Sequence, residues 1–362
     1  MKGGVKMRRQ LLFAVLITVL FSLTSFGLVH AQSQVPIKLK YSNYLPATHP
    51  YTNLGAQFCE EIKNRTNGRV EITYYPGGTL TTATKVYDGV VNEVSDIGLS
   101  HIGYTRGRFP VAEILDLPVG YASGYVATHV KDDFYNKFKP KDWNEVHVLY
   151  FFSPGPQIIA TKTRPVKKLE DLKGLKIRGT GRIADTIKAL GGTPVSVEMV
   201  DAYDGLQRGV IDGILDAMET WRGWKLGELV KHATLSQRGA GLVFTFYVVM
   251  AKDKWNLLPD DVKKTFTQVS AEWRDKSGVT SNQIDIAGRD FFKEHGGQIY
   301  SLSDEEIKRW QKAVEPVIEQ YMKDLEGKGY KRSEMEGYLK FIRERIAYWS
   351  QQEKELKLPT PY

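Results

Sequence analysis

The sequence predicts an α/β protein built as two lobes, and three observations carry that reading. Strand-like and helix-like segments alternate over residues 38–100 in the order β-α-β-α-β. That order calls for a parallel sheet with helices on its faces. The alternation starts again near His147 and runs to Ile214. No low-complexity linker divides the two stretches, so strands are expected to cross between the lobes, with the hinge built into the sheets.

Residues 38–42 read as the first strand, broken by Pro46. Thr48-His49-Pro50 opens a helix: Thr48 is placed to cap it, and a proline is tolerated in the first turn. Tyr51, Leu54, Phe58 and Ile62 recur three or four apart and mark its inward face. Asn67-Gly68 ends that unit. Val70, Ile72 and Tyr74 alternate with Glu71, Thr73 and Tyr75, as in a half-buried strand. A second helix is read over 82–94 and a short strand over 96–100. Ligands of such sheets bind beyond the carboxyl ends of the strands, which puts Asn43, Tyr44, Ser100, His101 and Tyr104 near a crevice.

In the second stretch, 147–152 and 157–162 are extended and 169–172 is a helical turn. Residues 175–178 form a strand, 183–190 a helix closed by Gly191-Gly192, and 194–197 a strand. Asp201 is placed to cap a helix that reaches about Arg208. The C-terminal part is mostly helical. Ser303 with Glu306 has the capping-box pattern. Ile307, Trp310, Val314, Val317, Ile318 and Tyr321 form an apolar stripe, and Pro316 is expected to kink that helix. The expected division is 32–154 and 243–283 in the first lobe, 155–242 and 284–325 in the second, and 326–362 as helices packed on them.

The N-terminus has its own logic. Lys2, Lys6, Arg8 and Arg9 form a basic head without an acid, and residues 11–29 carry no charge. Val29-His30-Ala31 is a small-x-small cleavage pattern. This is the layout of a secretory signal peptide over 1–31, with Gln32 first in the mature chain. The alternative is an uncleaved anchor, since the run reaches spanning length. No second run of that length follows, so the mature chain is expected to be soluble.

The formal charge is +8, of which the basic head supplies four. The remainder is near +4, with acids and bases interspersed, unlike a nucleic-acid footprint. Cys59 is the one cysteine; beside Phe58 in a helix it reads as a buried thiol. The seven histidines show no ligand spacing, so no metal is expected. No spacing gathers a nucleophile, a base and an oxyanion site, so no enzyme and no cofactor are expected. One motif points elsewhere. Gly179-Thr180-Gly181-Arg182-Ile183-Ala184 is a G-x-G-x-x-A between strand and helix, with Asp201 about twenty residues on. The alternative it raises is an NAD-dependent oxidoreductase.

A more specific pattern surrounds that motif. Residues 169–178 (LEDLKGLKIR), 189–195 (ALGGTPV) and 203–213 (YDGLQRGVIDG) resemble the solute-binding proteins of tripartite ATP-independent periplasmic (TRAP) transporters. Leu45-Pro46 with His49-Pro50, Thr66-Asn67-Gly68-Arg69-Val70, Tyr75-Pro76-Gly77-Gly78, Asp96-Ile97-Gly98, Phe109-Pro110 and Leu117-Pro118 match in order. Trp255 to Pro259, and Trp310 ahead of Val314-Glu315-Pro316, extend the match over nearly the whole mature chain.

The resemblance implies the two-lobed periplasmic binding protein fold, type II-like, with crossing hinge strands and a long connecting helix. It implies lobes that close on a small organic acid and two membrane subunits that receive it. A free, monomeric receptor in the periplasm is expected, with no nucleic acid as partner. The resemblance also implies that Arg178 pairs with the ligand carboxylate, a role its planar fork suits; the plainer alternative is a salt bridge to an acid such as Glu198.

Two departures bear on the ligand. Gln157 stands where several members carry a second arginine, which favours a monocarboxylate over a dianion. Asp216 stands where asparagine is frequent, so it is placed either to accept from a ligand amine or hydroxyl or to pair with Arg178 or Arg222. Tyr44, Tyr104, Phe152, Trp221, Phe244 and Tyr247 are the aromatic candidates for a flat or apolar ligand body. The expected ligand set is thus Arg178, Asp216, Gln157, Trp221, Phe244, Tyr104, Tyr44 and Ser100.

Overall fold

The computed structural model describes residues 35–362. The leader, its cleavage after Ala31 and the anchor alternative lie outside the described residues. Residues Ile37–Tyr362 form one compact unit that holds two sheets.

The first sheet contains β1 (Ile37–Asn43), β2 (Val70–Tyr75), β3 (Ile97–His101), β4 (Val146–Phe152) and β10 (Phe246–Ala251), in the order β2-β1-β3-β10-β4. β1 pairs in parallel with β2 and β3, as the β-α-β-α-β order requires. β10 is antiparallel to both its neighbours. Helices α1 (Pro50–Arg65), α2 (Val86–Val91) and α3 (Gly124–Phe138) belong to this lobe. The second sheet contains β5 (Ile158–Thr161), β6 (Lys176–Arg178), β7 (Thr193–Val195), β8 (Gly213–Asp216), β9 (His232–Leu235) and β11 (Gln298–Ser301), in the order β11-β9-β5-β8-β6-β7. Here β6 is parallel to β7 and β8. Helices α4 (Arg182–Ala189), α5 (Ala202–Gln207) and α6 (Glu219–Gly223) follow its strands.

The chain crosses between sheets three times: after β4, again before β10, and once more through the long helix that leads from β10 to β11. The first two crossings touch: Gln157 N donates to Leu242 O at 2.9 Å, and Ser153 Oγ donates to Phe244 O at 2.8 Å. After α7 (Lys252–Leu257), helix α8 (Asp260–Glu294) runs for 35 residues, roughly 50 Å at 1.5 Å per residue. It serves both lobes. Trp273 Nε1 donates to Leu54 O on α1, while Phe292 stacks on Trp221 of the second lobe's core. Helices α9 (Asp304–Glu326) and α10 (Arg332–Glu355) complete the chain. No helix among the described residues is long and apolar enough to cross a membrane.

Several local expectations need correction. The N-cap of α1 is His49, whose Nδ1 accepts from Tyr51 N, and Thr48 lies outside it. Residues 82–94 yield only a 3₁₀ turn and the six-residue α2, which ends at Asn92 because Glu93 takes a left-handed backbone (φ 56°) that no helix continues through. Asp201 stands at the N-cap of α5 without capping it: its backbone is already helical, continuing the turn Met199–Asp201. Ser303 does accept from Glu306 N, but the Glu306 carboxylate turns to Leu169 N and Arg309 rather than back to Ser303. As expected, the stripe on α9 is buried at Ile307, Trp310, Val314, Val317 and Tyr321, with Pro316 inside the helix. Cys59 is buried, which pushes its thiol up to about 12.

Candidate functional site

Arg178 is the last residue of β6 and Asp216 the last of β8. These strands are parallel neighbours, so both side chains emerge at the same carboxyl edge of the second sheet. Arg178 Nη1 donates to Asp216 Oδ2 at 2.5 Å, and both residues are almost wholly cut off from solvent. The guanidinium is further fixed by Val197 O on Nε at 3.2 Å and by the Tyr104 hydroxyl near Nη2 at 3.4 Å. Asp216 Oδ1 accepts from Ala217 N at 3.0 Å. Burial pushes the Asp216 carboxyl up to about 6, against the pull of Arg178, and the Glu219 charge pushes the same way.

The first lobe supplies the facing wall. Asn43 at the end of β1 pins the next turn: its Oδ1 accepts from Leu45 N, and its Nδ2 donates to Thr52 Oγ1 and the Tyr74 hydroxyl. That turn presents Tyr44. Tyr104 lies in the 3₁₀ turn after β3, its ring edge-on to Tyr44 at 5.5 Å. The Tyr104 hydroxyl accepts from Met199 N of the second lobe at 3.0 Å, so it bridges the lobes. His101 stacks 3.9 Å from Tyr104 and 4.5 Å from Phe244. Burial and then the Arg178 charge hold the His101 imidazole well below its usual range, so it is neutral.

Between these walls lies a narrow, nearly shut pocket with a cavity volume of about 10 Å³, lined by Tyr44, His101, Tyr104, Arg178, Met199, Asp216, Glu219, Thr220, Trp224, Phe244 and Phe246, with Leu45 and Pro154. Arg178 is the one lysine or arginine among them. Its chemistry is plain: aromatic faces for a flat body, and a guanidinium at one end for an anion.

Five of the eight expected residues meet here: Tyr44, Tyr104, Arg178, Asp216 and Phe244. Three do not. Ser100 alternates with His101 along β3 and points to the opposite face, where Oγ donates to Ala83 O. Gln157 lies in the crossing segment just before β5, with Nε2 donating to Gly155 O. Trp221 turns into the second lobe's core against Phe292, and Trp224, three residues on, takes the place by the cleft. Of the other aromatic candidates, Phe152 packs between Tyr51 and Phe246, and Tyr247 faces away against Tyr87 and Trp143. Arg178 does not reach Glu198; its acid is Asp216. Met199, Glu219, Trp224 and Phe246 were not foreseen. Phe246 was legible as the residue two on from Phe244.

Comparison with known proteins decides the family. The model of the bacterial extracellular solute-binding proteins, family 7, matches residues 41–324. The chain belongs to that family. This solute-binding protein is 23% identical to the C4-dicarboxylate-binding periplasmic protein DctP of Vibrio cholerae, over 84% of this chain and 92% of the relative. A marine-metagenome TRAP solute-binding protein specific for aromatic acid ligands, solved with 3-hydroxybenzoate, superposes with a TM-score of 0.82. It is 27% identical, over 87% of this chain and 99% of that one. A TRAP solute-binding protein from Rhodoferax ferrireducens, in complex with copurified benzoate, superposes with a TM-score of 0.81 at 25% identity and the same coverage. The protein is thus a TRAP solute-binding protein with the two-lobed α/β fold of its neighbours.

Proposed function

We propose that this protein captures a small monocarboxylate with a flat, apolar body, aromatic or amino-acid-like, between its lobes and delivers it to the membrane subunits of a TRAP transporter. The observation that carries the reading is Arg178: a buried guanidinium, the one cation of an otherwise aromatic and acidic pocket. A carboxylate meets that fork with two parallel hydrogen bonds, and the rings of Tyr44, Tyr104, Phe244 and Phe246 suit a planar body. The aromatic acids bound by the two structural neighbours fit the same description. Export by a cleaved leader, a periplasmic location and a monomeric receptor without cofactor complete the proposal. Calorimetric titration with benzoate and mandelate tests it, and N-terminal sequencing of exported protein, expected to begin at Gln32, tests the leader.

The oxidoreductase reading of the glycine motif is disfavoured by packing. Gly181 (φ +56°) abuts Gly103 of the first lobe so closely that a Cβ there would lie 2.7 Å from Gly103 Cα. Backbone of the same chain occupies the approach a pyrophosphate needs, and Arg182, at the start of α4, is paired with Glu113.

A further inference from the structure

Asp216 holds the guanidinium that the proposed ligand needs. Its carboxylate sits on Arg178 Nη1 at 2.5 Å, and the two charges cancel in a place without solvent. Around Asp216 stand Arg178 from β6, Tyr44 from the turn after β1, Tyr104 from the turn after β3, Glu219 from α6 and Asp285 from α8; His101 faces Arg178, and His49 faces Glu219. Asp285 is fully buried as well. No further lysine or arginine lines the pocket. A ligand carboxylate entering this wall unaccompanied would leave a net negative charge in a dry site, which costs far more than its hydrogen bonds return.

We propose that Asp216 takes up one proton from solvent as a ligand carboxylate takes its place on Arg178, and that this exchange restricts the site to monoanions. This rests on the carboxylate reading above. The balance is simple: the free site holds Arg178 positive and Asp216 negative, and the bound site holds Arg178 positive, the ligand negative and Asp216 neutral. No bond other than O–H forms. The neutral carboxyl becomes a donor and offers its hydrogen to a ligand oxygen. A dianion brings a second negative charge for which no partner remains, whereas C4-dicarboxylate binding is what the Vibrio cholerae relative is named for. Burial already holds the Asp216 carboxyl at about 6, so the proton is close to being bound before the ligand arrives.

The test is calorimetry of the full mature chain with benzoate in Hepes and in Tris, whose ionisation heats differ. Close to one proton should be taken up per benzoate at pH 7 to 8. Apparent affinity should fall about tenfold from pH 7 to 8, as uptake of one proton requires. Asp216→Asn should bind benzoate without proton uptake and without that slope. Succinate should bind the wild type at least a hundredfold more weakly than benzoate. Benzoate binding without proton uptake at pH 8, a slope that persists in Asp216→Asn, or succinate within tenfold of benzoate would each overturn the proposal. The wild-type proton count stands alone if the variant does not fold. Failure of benzoate and mandelate to bind at any pH overturns the carboxylate reading itself, and this one with it.

Discussion

His49 Nε2 stands 2.8 Å from Glu219 Oε2, joining the N-cap of α1 in the first lobe to the first turn of α6 in the second. Both side chains are buried, and Glu219 N in turn donates to Asp285 Oδ1 on the long helix at 2.8 Å. The contact spans the cleft, so it exists only while the lobes are together. Lobes hinged on crossing strands bury a ligand by shutting, and on the proposed function this pair would belong to the shut form. Removing one partner of a buried hydrogen bond leaves the other unsatisfied, at a cost of about 1–3 kcal/mol. Glu219→Ala should therefore weaken benzoate binding by about tenfold. By small-angle scattering, the wild type should shrink on adding saturating benzoate, and Glu219→Ala should shrink less. A wild-type profile that benzoate leaves unchanged, with binding confirmed independently, would count against the hinge.

Gly223 makes that closure sterically possible. A Cβ at this position would lie 2.7 Å from His49 Nε2 and 2.8 Å from His49 Cδ2, and the imidazole is fully buried with nowhere to retreat. The obstruction is between lobes, so Gly223→Ala should leave each lobe folded and hold them apart. We expect benzoate affinity to fall about tenfold or more, with a melting temperature within about 2 °C of the wild type, since away from core features a substitution changes stability by about 0.5 kcal/mol. Unchanged affinity would mean that the two lobes bind ligand without coming this close.

Asp285 offers a pH test of the same wall. Burial, followed by the charge of Glu219, holds its carboxyl well above the usual carboxylate range. The folded state therefore binds this proton more tightly than the unfolded chain does. The stabilisation is whole below the unfolded value of about 3.9 and is lost as pH rises toward the folded one. Asparagine does not titrate. Asp285→Asn should thus gain on the wild type as pH rises above about 4, by up to about 1.4 kcal/mol per pH unit until the folded carboxyl itself ionises, read as roughly 2 °C per unit in Tm. A Tm difference that stays constant over that range would show that the carboxyl is ionised throughout.

Much of this was legible before any coordinates, and the misses have a common cause. Strand ends, proline and glycine stops and the position of Arg178 at the end of a strand put Tyr44, Tyr104 and Arg178 at the cleft, and the family resemblance added Asp216. What the sequence pattern could not settle was which face a residue takes. Ser100 and His101 are adjacent on β3 and point opposite ways, and Tyr247 turns from the cleft for the same reason that Phe246 enters it. Trp221 on α6 leaves the cleft because the short helix turns its inward face to Phe292, and Trp224, just past the helix end, lines it instead. The pairing of Arg178 with Asp216, rather than Glu198, depends on β6 lying beside β8, a fact of sheet order rather than of spacing. The capping role assigned to Asp201 failed on backbone geometry that a preceding 3₁₀ turn imposed.

The central claim is that Arg178 clamps the ligand carboxylate, and benzoate titration of Arg178 variants tests it most directly. Each charge-assisted hydrogen bond contributes about 1.5–3 kcal/mol, and the pocket holds no second lysine or arginine to take over. Arg178→Ala should weaken benzoate binding at least about a hundredfold, which corresponds to about 2.7 kcal/mol. Arg178→Lys should recover only part of it, because an ammonium lacks the fork. Wild-type affinity in a folded Arg178→Ala protein would contradict the account.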